Sequence, residues 1–378
     1  MNRYRGGDLG AERKPCGVRC SARPARTLAR AKLGATFLPM RYLVTGGAGF
    51  IGSHLVEALL LRGDRVIALD DFSTGSAANL AHLAGHPALT VIHGSVCDEL
   101  VVDECCQQVD RIIHLAAAVG VRRILERQVN SIVTNLHGTG TLLRSAHAHG
   151  RMPVFFASTS EVYGKQVAAP FREDADSVLG ASALHRWSYA CSKLMDEFLS
   201  LAWHRERKLP VTIARFFNTT GPRQSPAYGM VLPRFCQAAL VGRPLEVHGD
   251  GRQSRCFLHV EDAVRAVLAL DACPAAVGEV VNVGSTEEVS MTELAKKVVA
   301  AAGSSSTLNY ISYAEAYPGG GFEDMQRRVP DVTKLARLTG WQARHDLASI
   351  VTASVAWARQ APATPSSTPR AAGTRGNG

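Results

Sequence analysis

Several features of membrane, secreted and metal-binding proteins are missing from this 378-residue sequence. No run approaches the roughly 20 apolar residues that a transmembrane helix needs. The nine cysteines are odd in number and form no CxxC pair, which argues against a disulfide framework or a metal site and predicts a reducing, cytoplasmic compartment. Residues 1–39 contain no apolar segment of the secretory type. We therefore expect a globular protein without a membrane segment.

Excess charge is also missing from the body of the chain, although the net charge is +9. Residues 1–39 carry +7 and residues 358–378 carry +3, which leaves about −1 for residues 40–357. A nucleic-acid interface on the folded body is therefore not expected. We predict a disordered basic extension at 1–39 and a disordered tail at 358–378. Met40 directly precedes the first predicted strand, so the extension is interpreted as an over-extended start of translation, with a transit peptide as the less favoured alternative.

Between these ends, short apolar segments alternate with helical patterns. The segment YLVT is the first predicted strand, and the others lie at 65–70, 89–94, 110–117, 154–158 and 211–217. Helices are predicted at about 50–62, 131–149 and 187–207. Short apolar strands separated by helices indicate a parallel sheet that is covered on both faces. The pattern therefore predicts an α/β fold with a Rossmann-type, doubly wound parallel sheet.

After residue 218 the spacing becomes irregular and richer in glycine and proline. The apolar segment 278–284 is predicted to return to the sheet. We therefore predict two domains. The NAD-binding Rossmann domain comprises 40–217 and 256–283, and a smaller C-terminal α/β lobe that binds the substrate comprises 218–255 and 284–357.

A glycine-rich turn follows the first strand and opens a helix. Its sequence, VTGGAGFIGSH, spaces Gly46, Gly49 and Gly52 as GxxGxxG. Such glycines permit a tight turn, close approach of the backbone to a pyrophosphate, and close helix–strand packing. Asp70 ends the second strand about 20 residues further on, where a carboxylate binds both ribose hydroxyls and repels a 2′-phosphate. The motif therefore predicts a dinucleotide site that prefers NAD to NADP.

A tyrosine and a lysine lie four residues apart in WSYACSK, within a predicted helix. At that spacing the side chains of Tyr189 and Lys193 share one helix face. We expect the ammonium group to lower the pKa of the phenol, which then accepts a proton from a substrate hydroxyl while hydride leaves to nicotinamide. Thr159 ends the preceding strand, and its hydroxyl is expected to bond the same substrate oxygen.

These motifs together resemble one family. TGGAGFIG, HLAA (114–117), the Ser-Thr pair at 158–159, YxxxK and RFFNTTGPR (215–223) are similar to the extended short-chain dehydrogenases/reductases that act on nucleotide-diphosphate sugars. The resemblance covers about residues 40–357 and implies a tightly held NAD, a nucleotide-sugar substrate and a homodimer. It further implies cofactor contacts from Phe50, Ile51, Ser95, Val96, Leu115, Ala116 and Ala117, and a sugar-nucleotide contact from Asn218. Relatives often carry Asp at position 95, so the serine implies a weaker adenine contact.

The reaction depends on the residues after Thr159. The family's dehydratases carry Thr-Asp-Glu, whereas this chain has Ser160 before Glu161, so the acid needed for elimination is missing. UDP-glucuronate decarboxylases resemble the chain best at this point, since they carry a similar Thr-Ser-Glu. A 4-epimerase of UDP-glucose or UDP-glucuronate needs only the Tyr–Lys pair and the hydroxyl, and stays open. An NADPH-dependent 4-keto-sugar reductase and a non-catalytic NAD-binding protein are more distant alternatives.

Three further residues are expected to contact the substrate. Arg255 precedes Cys-Phe, as in a similar segment of the decarboxylases, and binds either a carboxylate or the diphosphate. The resemblance implies a second diphosphate contact from Arg328. His248 either lines a uracil pocket or ends a strand. A substrate carboxylate beside Glu161 would be repelled unless Glu161 is protonated or Arg255 compensates its charge.

Overall fold

The computed structural model describes residues 39–120, 127–317 and 325–360. The predicted basic extension and tail lie outside these residues, apart from Pro39 and the short stretch 358–360. None of the helices in the described segments combines the length and apolarity needed to cross a bilayer.

A seven-stranded parallel sheet forms the centre of the structure. Its strands are β1 (Arg41–Thr45), β2 (Arg65–Asp70), β3 (Leu89–His93), β4 (Arg111–His114), β5 (Val154–Thr159), β6 (Val211–Phe216) and β11 (Val280–Val283). Their order is β11-β6-β5-β4-β1-β2-β3, and all neighbours are parallel. The order changes direction between β1 and β4, which creates a crevice at the carboxyl ends of the strands. The predicted doubly wound fold is confirmed, including the return of segment 278–284 as β11.

The helices lie between and after these strands. They are α1 (Phe50–Leu61), α2 (Glu99–Gln107), α3 (Gln128–Ala148), α4 (Trp187–Arg207), α5 (Val231–Leu240), α6 (Val260–Asp271), α7 (Met291–Ala302), α8 (Tyr313–Ala316), α9 (Thr333–Thr339) and α10 (Leu347–Gln360). Local sequence sets the ends of several of them. For example, Ser290 and Glu293 form a capping box at the start of α7, and Gly303 ends it with φ of +62°.

Within the described segments, seven further short strands form three small sheets. They are β7 (Thr219–Thr220), β8 (Leu245–His248), β9 (Ser254–Cys256), β10 (Leu258–His259), β12 (Glu288–Ser290), β13 (Leu308–Ile311) and β14 (Arg327–Arg328). β9 lies between antiparallel β12 and parallel β14, β8 pairs with β13, and β7 pairs with β10. The pairing of β9 with β14 matters for the site, because it brings residues from near position 255 and near position 328 side by side.

Apolar side chains cover both faces of the main sheet. One cluster packs α1 and α6 against it and includes Leu55 and Val267, while another packs α2 and α3 against the sheet and includes Cys105 and Leu142. A third cluster, with α5, α7 and α10, lies within residues 231–358. Burial on both faces explains why these strands read as continuous apolar runs. The predicted domain boundaries remain a prediction.

Candidate active site

The carboxyl ends of the parallel strands open into a cavity of about 710 Å³. Its walls come from the segments that follow β1, β2, β4, β5 and β6, and from α5, β8, β9 and β14. Ligands of open α/β sheets bind at such a crevice, outside the strand ends and at the change of strand order. The predicted site residues are therefore expected to line this one cavity.

The glycine-rich turn after β1 is too tightly packed for side chains. Gly46 has φ of +69°, which favours glycine. A Cβ atom at Gly52 would lie only 2.0 Å from the carbonyl oxygen of Gly46. α1 begins beside the cavity at Phe50, and no side chain caps it. Its first N–H groups and its dipole are thus available to an anion, so the turn fits a pyrophosphate.

Asp70 ends β2 at the same cavity and is buried. Its Oδ2 accepts from the N–H of Ala48 at 2.9 Å, and its Oδ1 accepts from the N–H of Phe72 at 2.8 Å. Burial raises the pKa of Asp70, and these backbone bonds oppose that rise. A carboxylate offers about four acceptor positions, and backbone N–H groups of Ala48, Gly49 and Phe72 use three of them, so at least one remains for a ribose hydroxyl of a dinucleotide.

Tyr189 and Thr159 meet at the cavity. Tyr189 lies in the first turn of α4, Thr159 ends β5, and both line the wall. A hydrogen bond from Thr159 favours the ionised form of the Tyr189 phenol. Lys193 lies one turn further along α4, is only 2% exposed and is not among the lining residues. The structure thus presents the phenol and a hydroxyl to a ligand and keeps the ammonium group behind them.

The pKa of Tyr189 differs from the sequence-based prediction. Burial raises this pKa, and the carboxylates of Glu161 and Asp196 raise it further. Lys193 is not among the main influences on this pKa, contrary to the prediction. The ammonium group instead lies 3.8 Å from Asp196. Tyr189 and Lys193 lie one helical turn apart, as predicted, but this spacing could not reveal that the buried carboxylate of Asp196 lies next to the lysine.

Glu161 is held between two arginines, and we call Arg186, Glu161 and Arg328 the Glu161 clamp. The Oε2 of Glu161 lies 2.5 Å from Arg186 Nη2, and its Oε1 accepts from Arg328 Nη1 at 2.6 Å. Arg328 also donates to the hydroxyl of Ser160 at 3.3 Å. Burial alone would raise the pKa of Glu161, but the two guanidinium groups outweigh it and hold the pKa at about 2. Glu161 is therefore ionised at neutral pH.

Arg328, for which the family resemblance implies a diphosphate contact, pairs with Glu161 at the carboxyl end of β5. Its contact with a diphosphate stays a prediction. The parallel pairing of β14 with β9 explains this position, because Arg328 and Arg255 are register partners. The Nε of Arg328 is buried and has no hydrogen-bond partner among the described residues. This N–H is a donor that no acceptor in the described segments satisfies.

The other predicted substrate residues line the cavity without forming one cluster. Arg255 is buried and donates to the carbonyl of Ser254 at 2.7 Å. Asn218 donates to the carbonyl of Cys256 at 3.0 Å. His248 ends β8, with its Nε2 3.1 Å from Arg234 Nη2 and its ring edge-on to Tyr317. The structure therefore places His248 both at a strand end and on the cavity wall.

Nearly all predicted site residues lie on the cavity wall. Those that line it are Gly46, Gly49, Phe50, Ile51, Gly52, Asp70, Val96, Leu115, Ala116, Ala117, Thr159, Ser160, Glu161, Tyr189, Asn218, His248, Arg255 and Arg328. Lys193 and Ser95 do not. The Oγ of Ser95 accepts from the N–H of Cys97 at 3.1 Å, so this serine caps its own loop.

Sequence reasoning did not assign a role to Arg186 or to the buried support of β5. Arg186 lies three residues before Tyr189, which is a usable signal, since one helical turn places the two at the same end of α4. Behind the strand, Glu197 forms a bidentate ion pair with Arg215 and accepts a hydrogen bond from Ser158. This network fixes the end of β5 from which Thr159 and Glu161 project.

Comparisons with known proteins agree with this geometry. The chain is 44% identical over 300 residues to a UDP-N-acetyl-alpha-D-glucosaminuronate decarboxylase of Bacillus cytotoxicus, covering 79% of this chain and 91% of that protein. It is 35% identical to UDP-glucuronic acid decarboxylase 2 of Arabidopsis thaliana, covering 89% and 72%. A solved structure of UDP-glucuronic acid 4-epimerase from Bacillus cereus, in complex with UDP-glucuronic acid and NAD, superposes with a TM-score of 0.76 at 28% identity, covering 85% and 99%.

A family model shows the relationship most directly. The model described as GDP-mannose 4,6 dehydratase matches residues 43–353, which span the sheet, the cavity and the C-terminal cluster. The match contains the glycine-rich turn, the Tyr–Lys pair and the Glu161 clamp. The chain belongs to the GDP-mannose 4,6-dehydratase family of extended short-chain dehydrogenases/reductases.

Proposed function

We propose that this protein is an NAD-dependent decarboxylase of a UDP-linked uronic acid, with UDP-glucuronate as the expected substrate. The observation that carries the proposal is the Glu161 clamp, which lies in the same cavity as the phenol of Tyr189. The relatives named as decarboxylases support it. Because one of them is named for the 2-acetamido uronate, that sugar is the second substrate to test.

The cofactor is NAD. The glycine-rich turn offers the uncapped start of α1 to a pyrophosphate, and Asp70 offers acceptors to a ribose and negative charge against a 2′-phosphate. The related 4-epimerase was solved with NAD bound. When bound, NAD would supply the acceptor for a hydride from C4 of the sugar and the source of the hydride that reduces the 4-ketone again. Leu115, Ala116 and Ala117 would line the same compartment.

Tyr189 and Thr159 would act on the C4 hydroxyl of the sugar. The phenolate form of Tyr189 accepts the hydroxyl proton, and the hydroxyl of Thr159 bonds the same oxygen and favours that ionised form. Oxidation at C4 makes the C6 carboxylate part of a β-keto acid. Loss of CO₂ then leaves an enolate whose O4 accepts hydrogen bonds from protonated Tyr189 and from Thr159, and a proton from solvent at C5 restores the 4-ketone that the returning hydride reduces.

The Glu161 clamp would receive the C6 carboxylate. Its two guanidinium groups and one carboxylate sum to +1, so the clamp as a whole attracts an anionic sugar. The Nε–H of Arg328 supplies a donor that no described residue uses. We propose that Arg255, its register neighbour on β9, binds the diphosphate, since that strand lies further along the same wall.

The direct test supplies purified protein with NAD and one sugar nucleotide at a time. The substrates are UDP-glucuronate, UDP-N-acetylglucosaminuronate and UDP-glucose. We expect release of CO₂ and a UDP-pentose from at least one uronate, and no product from UDP-glucose. Formation of neither a pentose nor a 4-epimer from any of the three would refute the proposal.

A matched pair of variants tests the role of the clamp. Glu161→Gln removes the central charge and should abolish CO₂ release, while C4 oxidation persists because Tyr189 and Thr159 are intact. Glu288→Gln is the control, since Glu288 pairs with Arg327 in the neighbouring part of the same small sheet, outside the cavity. Equal CO₂ release by both variants would show that Glu161 is structural.

A 4-epimerase of UDP-glucuronate is the second candidate, and the solved epimerase favours it. Epimerisation also begins with oxidation at C4 and also binds a carboxylate. It differs in requiring the 4-keto sugar to turn over before the hydride returns. Chromatography that separates UDP-galacturonate from UDP-xylose distinguishes the two products in the assay above.

We also propose a homodimer formed through α3 and α4. These helices pack against each other, and apolar side chains on them are exposed, with Val129 at 77%, Val133 at 53%, Met195 at 52% and Phe198 at 59%. A second copy would cover this surface. Light scattering should show a dimer for the native protein and a monomer for Phe198→Glu. The control is Leu61→Glu, an exposed apolar residue of α1, which should stay dimeric.

A reducing, cytoplasmic location is proposed from the cysteines. All seven cysteines in the described part of the chain are free, including the buried neighbours Cys105 and Cys106. Free thiols are typical of reducing compartments. Cell fractionation with an antibody against the native protein would test this, and recovery from a secreted fraction would contradict it.

A further inference from the structure

A segment with no role in the chemistry described above lines the cavity next to α1. It comprises residues 219–225 and begins with β7, and we call it the 219–225 segment. Five of its residues lie on the cavity wall, namely Thr219, Thr220, Arg223, Gln224 and Ser225. The glycine-rich turn and the start of α1 line the same cavity. The 219–225 segment therefore borders the compartment in which NAD would lie.

Hydrogen bonds within the segment give it a defined shape. Gln224 Nε2 donates to the carbonyl of Thr219 at 3.0 Å, and Thr220 Oγ1 donates to Gln224 Oε1 at 2.7 Å. Arg223 has φ of +67°, a left-handed conformation that residues other than glycine seldom adopt. Such a conformation persists only where surrounding contacts hold it in place. The contacts of Arg223 therefore determine where this part of the wall lies.

Those contacts come from α1. Arg223 Nη2 donates to Glu57 Oε2 at 2.5 Å, and its Nη1 lies 3.5 Å from the hydroxyl of Ser53. His54 Nε2 lies 3.0 Å from the carbonyl oxygen of Pro222, which can only accept, so the ring donates. Glu57 and His54 do not line the cavity. Successive turns of α1 thus hold the 219–225 segment from outside the cavity.

Glu57 also contacts a second part of the wall. Its Oε2 lies 3.2 Å from His82 Nε2, in the short helix Ala77–Leu83. The same helix carries Asn79, which lines the cavity and donates to the carbonyl of Ala48 in the glycine-rich turn at 2.9 Å. One carboxylate therefore connects α1 to two neighbouring elements that border the cofactor compartment.

The charges show that the ion pair acts by position and not by attraction. Burial raises the pKa of Glu57, but Arg223 and His82 more than offset that rise and lower the pKa, so the carboxylate is ionised at neutral pH. The charges of Glu57 and Arg223 then sum to zero, and the pair adds no net charge that would attract an anionic cofactor. Their side chains are 32% and 14% exposed, so neither is fully free to move in solvent.

We propose that Glu57 is a positioning residue for the cofactor, because through Arg223 it holds the 219–225 segment against α1 and thereby slows the release of NAD from the cavity. The inference rests on the proposed function only in that NAD has to stay bound between removal of the hydride from C4 and its return. Glu57 itself lies outside the cavity and would touch neither cofactor nor substrate.

The test measures NAD release from the holoenzyme with no sugar nucleotide present. Protein loaded with radiolabelled NAD is mixed with an excess of unlabelled NAD, and the bound label is followed over time. Glu57→Gln keeps the size of the side chain and should speed release about fivefold, as expected for loss of a partly exposed ion pair. Glu288→Gln is the matched control, since Glu288 is 30% exposed, pairs with Arg327 and lies outside the cavity. Its release rate should stay within about twofold of the wild type.

A double substitution separates this role from a general loss of stability. Arg223→Gln should speed release at least as much as Glu57→Gln, and the double variant should match Arg223→Gln alone, because both changes remove the same ion pair. Multiplied effects in the double variant would overturn the inference, as would release from Glu57→Gln that is no faster than from Glu288→Gln.

Two further outcomes are distinguishable. If Glu57→Gln does not fold, Glu57→Asp keeps the charge but shortens the side chain by one carbon, and it must also release NAD faster than the wild type for the inference to stand. Absence of any sugar-nucleotide turnover by the wild type would refute the proposed function. The release measurement would still decide the role of Glu57, since it uses no sugar nucleotide.

Discussion

Replacing Glu161 with glutamine should destabilise the protein even before any substrate is added. The substitution keeps the size of the side chain and removes the charge that separates Arg186 from Arg328. Both guanidinium groups are buried, with side-chain exposures of 6% and 9%. Two cations would then face each other in a site from which water is largely excluded. Breaking a buried ion pair by removing one partner is strongly destabilising for this reason.

The pKa of Glu161 gives the magnitude. The structure lowers it from 4.5 to about 2, a difference of about 2.5 units, which corresponds to roughly 3 kcal/mol in favour of the ionised folded state. Because the folded pKa is depressed, this stabilisation is present above pH 4.5 and is lost as the pH falls through about 2. The Glu161 side chain is only 13% exposed, so solvent screens the interaction little.

Urea unfolding at pH 7 measures the effect. Glu161→Gln should lower the free energy of unfolding by about 3 kcal/mol, and the gap to the wild type should narrow as the pH is lowered from 4 towards 2. Glu288→Gln removes a more exposed partner of an arginine, with exposures of 30% and 51%, and should cost less than about 1 kcal/mol. A Glu161→Gln protein within about 0.5 kcal/mol of the wild type at pH 7 would show that the clamp is not an ionised network, and Glu161 would then have no role in holding the two arginines apart.

Three further predictions concern the cofactor and the buried histidine. Gly52→Ala places a Cβ 2.0 Å from the carbonyl oxygen of Gly46 and should abolish NAD binding, measured by equilibrium dialysis. Gly140→Ala is the control and should bind NAD normally, because its Cβ would meet only Arg144 Nη1, at 3.5 Å. Asp70→Ser should lower the preference for NAD over NADP at least tenfold, measured as the ratio of kcat/KM, and an unchanged ratio would contradict its role. Burial lowers the pKa of His114 from 6.5 to about 3, so between these pH values the unfolded chain binds one proton more than the folded protein. The free energy of unfolding therefore falls on acidification, by about 2 kcal/mol from pH 6.5 to pH 5. Unfolding curves of His114→Gln should lack this component, and an identical pH dependence would refute it.

The parts of the fold that sequence predicts well are those specified by neighbouring residues. The strand Arg65–Asp70 and the helix Trp187–Arg207 have the predicted bounds, because each apolar pattern is complete within its own segment. The helix predicted at 131–149 begins earlier, at Gln128, where no side-chain cap marks its start. The glycine turn and the Tyr–Lys spacing are likewise local. Short segments of this kind determine backbone conformation almost independently of the rest of the chain.

Contacts between residues that lie far apart in the chain could not be predicted from the sequence. Arg328 reaches Glu161 across 167 positions, and it does so because β14, a strand of only two residues, pairs with β9. No periodicity identifies a strand that short. Asp196 illustrates a related limit, since its position one turn after Lys193 was visible in the sequence. Its complete burial, and its lack of a hydrogen-bond partner within the described segments, depend on the packing around α4.

The structure also resolves how a carboxylate substrate could lie beside Glu161. From the sequence, repulsion between the two carboxylates could be avoided in two ways: Glu161 could be protonated, or Arg255 could compensate its charge. Protonation is excluded near neutral pH, because Arg186 and Arg328 hold the pKa of Glu161 at about 2. The negative charge of Glu161 is compensated, and the compensating charges are those of Arg186 and Arg328. Glu161 thus holds the guanidinium groups of Arg186 and Arg328 in place but neutralises only one of their two positive charges. The carboxylate of an anionic sugar would neutralise the other, whereas a neutral hexose would not. A neutral UDP-glucose would leave the clamp at +1, so we predict that the cavity favours uronates before either decarboxylation or epimerisation begins.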